Sequence, residues 1–145
     1  MNNAPITVQY KINAPAEKVW QALTDKDEMK LWYFDIQDFE PAIGKEFNFY
    51  EPGEERKYHH QCEILEILPD RKLKHTWAYP DFSSLKTVVT WELFPDGDHE
   101  TQVRLTHDGI DNFKELGDNF SEKSFTEGWN TIIGKSLKEY LEKKI

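Results

Sequence analysis

The sequence contains one cysteine, Cys62, in 145 residues, so no disulfide can form within the chain. It has no apolar run long enough to span a bilayer. Its first residues, MNNAPITVQYKI, lack the basic segment and the apolar stretch of a signal peptide. Internal repeats, linkers and low-complexity tracts are absent too. We therefore predict a cytoplasmic protein with a single domain over residues 1–145.

Positive charge is also in short supply, with 18 Lys and Arg against 27 Asp and Glu and a net charge of −9. An acidic surface repels the phosphate backbone of nucleic acids and the anionic face of a membrane. We expect neither nucleic acid nor a membrane among the partners.

Motifs that carry catalysis or cofactor binding are missing. There is no GxSxG, no glycine-rich phosphate loop and no dinucleotide-binding fingerprint. His60 and Cys62 share one strand face and could ligate a metal, but two ligands are too few, and no CxxC or HExxH spacing accompanies them. We expect no metal and no cofactor. The remaining histidines lie on other segments, where we expect them to be solvated or hydrogen-bonded: His59, His75, His99 and His107.

Aromatic residues, by contrast, are abundant at 14% of the chain, which requires a core or a pocket to hold them. Period-two alternation predicts strands, and 3.6-residue periodicity with capping residues predicts helices. The predicted order is a strand at 6–12, a helix from about Pro15, a helix from Lys26 to 32–34, strands near 45–50, 57–68, 71–79, 85–94 and 100–107, a loop or weak helix at 109–123, and a last helix at roughly 125–143. Short turns make the strands antiparallel, so the fold class is α+β.

The last helix carries an apolar stripe that must dock on the sheet: Trp129, Ile132, Ile133, Leu137, Tyr140 and Leu141. Ser124 and Glu127 have the spacing of a capping box at its start. Gly128 and Gly134 fall at the edges of the stripe, where they either allow a close backbone approach or relieve crowding. For Gly134, a merely tolerated surface glycine is an equally good interpretation.

Four segments resemble one known family: INAPAEKVWQALTD, IGKEFNF, ILEILPDRKLKHTW and EGWNTIIGKSLKEYL. They are similar, in this order, to the AHSA-like family of activators of heat-shock protein 90 ATPase homologues, within the START-like superfamily (SRPBCC, polyketide-cyclase and pollen-allergen type). The resemblance runs from about Ile6 to Leu141. It implies the helix-grip fold, in which a curved antiparallel sheet of about six strands wraps around a long C-terminal helix and leaves a cavity between them.

The resemblance also implies a small hydrophobic ligand in that cavity, for which we expect a volume of roughly 300–1,000 Å³. The candidate ligand-binding residues are Trp32, Phe47, Phe49, His60, Cys62, Trp77, Trp91, Trp129, Ile132 and Ile133. Any one of these rings is better explained as part of a solid core, whereas some subset of them is expected to line the pocket, because helix-grip folds rarely fill the whole space. Trp32, Tyr33 and Phe34 end the second helix near the family's entrance region, and three adjacent rings cannot all face one core.

Three functions stay open at this point. The first is a binding protein for a small hydrophobic molecule. The second is a cyclase-type or hydrolase-type enzyme that uses the same cavity, with no catalytic residue identified. The third is a chaperone-linked interaction protein, although the eukaryotic activators engage the chaperone through a separate N-terminal domain that does not precede the START-like segment here. The oligomeric state cannot be predicted from these patterns.

Overall fold

The structure is a computed structural model that describes residues 5–50, 59–117 and 120–142. Its centre is a six-stranded antiparallel sheet with the strand order β1-β6-β5-β4-β3-β2. The strands are β1 Ile6–Ile12, β2 Glu46–Tyr50, β3 His59–Leu68, β4 Lys72–Ala78, β5 Lys86–Asp96 and β6 Glu100–Asp108. The predicted α+β class and the helix-grip arrangement are confirmed. The turn expected at Pro52–Gly53 lies outside the described residues.

Two short helices follow β1, as the sequence predicts. They are α1 Ala16–Thr24 and α2 Lys26–Trp32. Asp25 caps α2 by accepting a hydrogen bond from the backbone N–H of Asp27 at 2.9 Å. The spacing of Asp25 and Glu28 in the sequence also predicts a capping box. Glu28 instead accepts a hydrogen bond from the hydroxyl of Tyr140 at 2.8 Å, which ties α2 to the terminal helix.

The terminal helix covers residues 122–142 in three consecutive segments: α3 Glu122–Thr131, a π-helical stretch Ile132–Leu137, and α4 Lys138–Glu142. The predicted cap at Ser124 is wrong. Ser121 caps the helix, because its hydroxyl accepts the backbone N–H of Ser124 at 3.1 Å, so the helix begins three residues earlier than Ser124 and Glu127 suggest. A short 3-10 helix, Ile110–Leu116, precedes it in the region where the sequence predicts a loop or weak helix.

The core lies between the concave face of the sheet and the terminal helix. Trp129, Ile133, Leu137 and Leu141 are buried along one face of that helix, while Ile132 and Tyr140 flank them half-buried. A register shift in β3 between Ile64 and Glu66 adds a bulge. Such a bulge bends and twists a strand, which helps the sheet curve around the helix.

At Gly134 the terminal helix lies close against Tyr10 of β1. A Cβ at this position would lie 2.5 Å from Cζ of Tyr10 and 2.8 Å from its hydroxyl. Tyr10 cannot easily move away, because that hydroxyl donates to Oδ1 of Asn130 at 2.7 Å. Gly134 therefore permits a close approach. Gly128 is exposed, and a Cβ added there would meet no atom within 4 Å, so this glycine is merely tolerated.

These two glycines predict opposite outcomes for the same substitution. Gly134→Ala should lower the free energy of unfolding by ~1–3 kcal/mol, because the methyl group overlaps the Tyr10 ring. Gly128→Ala should raise it by ~0.5–1 kcal/mol, because alanine has the higher helix propensity and meets open space. Urea unfolding of both variants checks this, and equal effects would show that the helix is docked differently.

Candidate functional site

The candidate residues named from the sequence line the interior between sheet and helix. Phe47 and Phe49 belong to β2, His60 and Cys62 to β3, Trp77 to β4, Trp91 to β5, Trp32 to α2, and Trp129, Ile132 and Ile133 to the terminal helix. All are buried except Ile132, which is half-buried at the edge of the helix face. The fold therefore brings them to one place, although burial by itself assigns them no ligand.

The rings among them form one continuous cluster. The indole of Trp129 lies 5.2 Å from that of Trp77 and 5.6 Å from that of Trp91, both edge to face. Trp91 in turn meets Trp32 edge to face at 6.3 Å. On the far side, His60 stacks on Phe49 at 4.5 Å. Edge-to-face and offset contacts are the favourable arrangements for such rings.

Two buried histidines, which the sequence analysis did not assign to the site, hold this cluster together. Nδ1 of His75 donates to the backbone carbonyl of Thr76 at 2.8 Å, so Nε2 is free to accept the indole N–H of Trp91 at 3.3 Å. An indole nitrogen is a donor only. His75 must therefore be neutral to keep both contacts.

His107 occupies an equivalent position two strands away. Its Nδ1 accepts the indole N–H of Trp129 at 3.1 Å, which links the terminal helix to β6. Its Nε2 then donates to Oγ1 of Thr87 at 2.8 Å, and that hydroxyl donates to the backbone carbonyl of Trp77 at 2.9 Å. The neutral imidazole is required here as well.

Burial shifts both histidines towards the neutral form. It lowers the pKa of His75 from 6.5 to about 4, while the hydrogen bond to Thr76 acts in the opposite direction. Burial also lowers the pKa of His107 to about 3, with His75 contributing further. The sequence does indicate that both histidines face inward. By period-two alternation His75 shares a strand face with Leu73, and His107 shares one with Leu105.

The space that these rings leave is small. A void of about 10 Å³ lies among Met29, Trp32, Tyr33, Leu73 and Trp91. Among the described residues, the space at this position is therefore far smaller than the 300–1,000 Å³ that we expected between sheet and helix. The physical reason is that the indoles interlock edge to face and fill the concave side of the sheet.

A second space lies directly outside this void. Between α2 and the terminal helix, Leu31, Ser136 and Tyr140 border a surface depression of about 440 Å³. Trp32 and Tyr33 line both this depression and the inner void. The two side chains thus lie between the outer depression and the ring cluster. Contrary to the expectation that three adjacent rings cannot all face one core, Trp32 is buried in the core and Tyr33 and Phe34 pack against it half-buried.

A larger groove of about 740 Å³ lies elsewhere, at the end of the terminal helix. It is open to solvent, and Lys18, Glu28 and Glu100 place mixed charges along it. A small apolar molecule is best held where most of its surface is enclosed. The ring cluster behind Tyr33 meets that requirement better than this open groove.

The polar groups of the interior are not arranged for covalent chemistry. Burial raises the pKa of the Cys62 thiol well above its usual range, so it stays protonated and is a poor nucleophile. Within the described ranges, no three His, Cys, Asp or Glu side chains are placed to hold a metal ion. No helix in those ranges combines the length and apolarity that a membrane crossing requires.

Comparison with known proteins gives a family and several similar folds. A family model described as Activator of Hsp90 ATPase homolog 1-like protein matches residues 13–142. A search of curated proteins found no match. A structurally similar protein of Mesorhizobium loti is 25% identical, with a TM-score of 0.77 over 97% of this chain and 98% of that chain.

Two further solved structures share the fold. The Aha1 protein of Colwellia psychrerythraea, whose structure is that of a dimer, is 24% identical, with a TM-score of 0.73 over 95% of this chain and 96% of that chain. DynU16, a protein of the dynemicin biosynthetic locus, is 19% identical, with a TM-score of 0.79 over 99% of this chain and 49% of that chain.

Because His75 and His107 must stay neutral in the folded protein, we predict that acid lowers its stability. Between pH 6.5 and about 4 the unfolded chain protonates both residues while the folded chain does not, so the free energy of unfolding falls as the pH falls. Each histidine should contribute a loss of roughly 1.5–2 kcal/mol between pH 7 and pH 5. Urea unfolding across this range measures the slope.

His75→Gln should remove about half of that slope, because the amide cannot titrate. An unchanged slope in His75→Gln would show that His75 is not the group that responds to acid.

Proposed function

Because this chain belongs to the Activator of Hsp90 ATPase homolog 1-like family, we propose that it binds a small hydrophobic molecule between the sheet and the terminal helix. The observation that carries this proposal is the partition formed by Trp32 and Tyr33. One displaced ring would join the inner void to the outer depression and give a ligand access to the ring cluster.

The lining supports an apolar, flat ligand. Rings of Phe47 from β2, His75 from β4 and Trp91 from β5 line the inner void. Phe47 in turn stacks on Phe49 at 6.2 Å, and Phe49 meets Trp77 edge to face at 5.6 Å. Aromatic surfaces of this kind bind planar apolar molecules through dispersion and ring stacking. The neutral state of His75 and His107 keeps the same surface uncharged.

Access requires movement, and the structure favours Tyr33 as the part that moves. The indole N–H of Trp32 donates to the backbone carbonyl of Ala22 at 3.0 Å, which holds that ring against α1. Tyr33 follows at the end of α2, and residues 33–45 form neither helix nor strand. Segments with little regular hydrogen bonding open at the lowest free energy.

Binding is better supported than catalysis. Both ring nitrogens of His75 and of His107 are engaged in hydrogen bonds, so neither offers a base to a substrate. The protonated thiol of Cys62 lacks the thiolate character that a nucleophile needs. The cyclase-type or hydrolase-type alternative therefore has the weaker support. Interaction with a chaperone stays the alternative if no ligand binds.

The proposal is tested with the uncharged fluorescent probe N-phenyl-1-naphthylamine. Titration should show saturable binding to one site, with a rise in probe emission and a fall in tryptophan emission. Ser136→Phe fills the outer depression without entering the core, so it should block access to the ring cluster. We expect it to weaken or slow binding at least about 10-fold, which corresponds to ~1.4 kcal/mol or more of binding or activation free energy.

Lys135→Phe is the matched control, because Lys135 is the exposed neighbour of Ser136 in the same helix. This variant should bind the probe like the parent protein. Absence of saturable binding to the parent would contradict the proposed function. Equal loss in both variants would contradict the entrance between α2 and the terminal helix.

A further inference from the structure

The hydroxyl group of Tyr33 differs from the other interior polar groups described above in its hydrogen bonding. Tyr33 is half-buried as a residue, yet its hydroxyl oxygen is fully enclosed and has no hydrogen-bond partner among the described residues. Burial raises the pKa of this hydroxyl well above its usual range, with Cys62 and Tyr79 contributing further. The group is therefore a protonated donor at neutral pH.

Its surroundings explain why no described side chain pairs with it. The Tyr33 ring lies 4.9 Å from that of Trp32, 4.6 Å from that of Phe34 and 6.0 Å from that of Trp91, and these neighbours offer ring faces and edges. The hydroxyl of Tyr79, which accepts the indole N–H of Trp77 at 2.9 Å, makes no hydrogen bond with the Tyr33 hydroxyl. A thiol such as that of Cys62 is only a weak acceptor.

An unpaired buried hydroxyl is unfavourable by ~1–3 kcal/mol, and such groups are rare in folded proteins. The void beside Tyr33 is about 10 Å³ and mainly ring-lined, so a water there would find few of the two to four polar partners that it needs. A phenylalanine would fill the same space without the penalty.

We infer that the Tyr33 hydroxyl donates a hydrogen bond to the ligand, so that the ligand class is a flat apolar molecule bearing one uncharged acceptor, such as a ketone or quinone carbonyl. This inference rests on the proposed function and specifies its ligand. The acceptor is uncharged because the buried Cys62 thiol and the buried His75 imidazole stay neutral and supply no counter-ion. A charged group would lose its hydration without compensation.

Two matched probes isolate the acceptor. 2-Acetylnaphthalene and 2-isopropenylnaphthalene have nearly the same planar shape and differ by a carbonyl oxygen in place of a methylene group. The parent protein should bind the ketone about 10-fold more tightly, as expected when a buried donor gains its only partner. Tyr33→Phe should remove this preference by weakening the ketone about 10-fold, with the alkene unchanged. Quenching of tryptophan emission reports both affinities.

The same variant has a second, ligand-free readout. Removing an unpaired hydroxyl should leave the Tm of Tyr33→Phe unchanged or raise it. Tyr79→Phe is the matched control: it makes the same chemical change but removes the acceptor of the Trp77 indole N–H, so its Tm should fall. A Tm loss in Tyr33→Phe equal to that of Tyr79→Phe would overturn the inference, because it would reveal a partner within the protein.

The outcomes separate the two proposals. If both naphthalenes bind the parent equally and Tyr33→Phe changes neither affinity, the inference is overturned and the proposed function stands. If neither naphthalene binds the parent, the proposed function is overturned, and the inference with it. Loss of the ketone preference in Tyr33→Phe alone, with Tyr79→Phe retaining it, supports both.

Discussion

The hydrogen bond from the Trp129 indole to the His107 imidazole is the contact on which the interior depends. It joins the terminal helix to β6 at 3.1 Å, deep between the two layers. The contact exists only while the imidazole is neutral, and burial provides that condition. The Trp91 and His75 pair repeats the arrangement between β5 and β4. Large rings can fill this core because their few polar atoms form hydrogen bonds with one another.

Buried polar atoms of the rings require hydrogen-bond partners, and Tyr33 departs from this requirement. Trp32, Trp77, Trp91 and Trp129 each place the indole N–H on an acceptor. The Tyr33 hydroxyl does not, within the part of the chain that the structure describes. The residue that carries this hydroxyl lines both the inner void and the outer depression. A donor without a partner at the border between solvent and an apolar interior is what a binding site for an acceptor-bearing ligand needs.

Much of this arrangement follows from sequence patterns, and the remainder has physical reasons for escaping them. Period-two alternation identifies the inward positions of the strands, and the stripe from Trp129 to Leu141 identifies the buried face of the terminal helix. The roles of His75 and His107 were missed because their donors, Trp91 and Trp129, come from other segments. The volume of the void was overestimated because it depends on how the indole rings turn. The close approach at Gly134 could be decided only once Tyr10 was placed against it.

The central claim is that a flat apolar ligand enters beside Tyr33 and reaches the ring cluster. The most direct measurement is a proton–nitrogen correlation spectrum of the five tryptophan indole N–H groups during titration with 2-acetylnaphthalene. The account predicts saturable shifts of Trp32 and Trp91, which border the inner void. Trp20, on α1 outside the lining of that void, should not shift. Shifts confined to Trp20, or no shifts at all, would contradict the account.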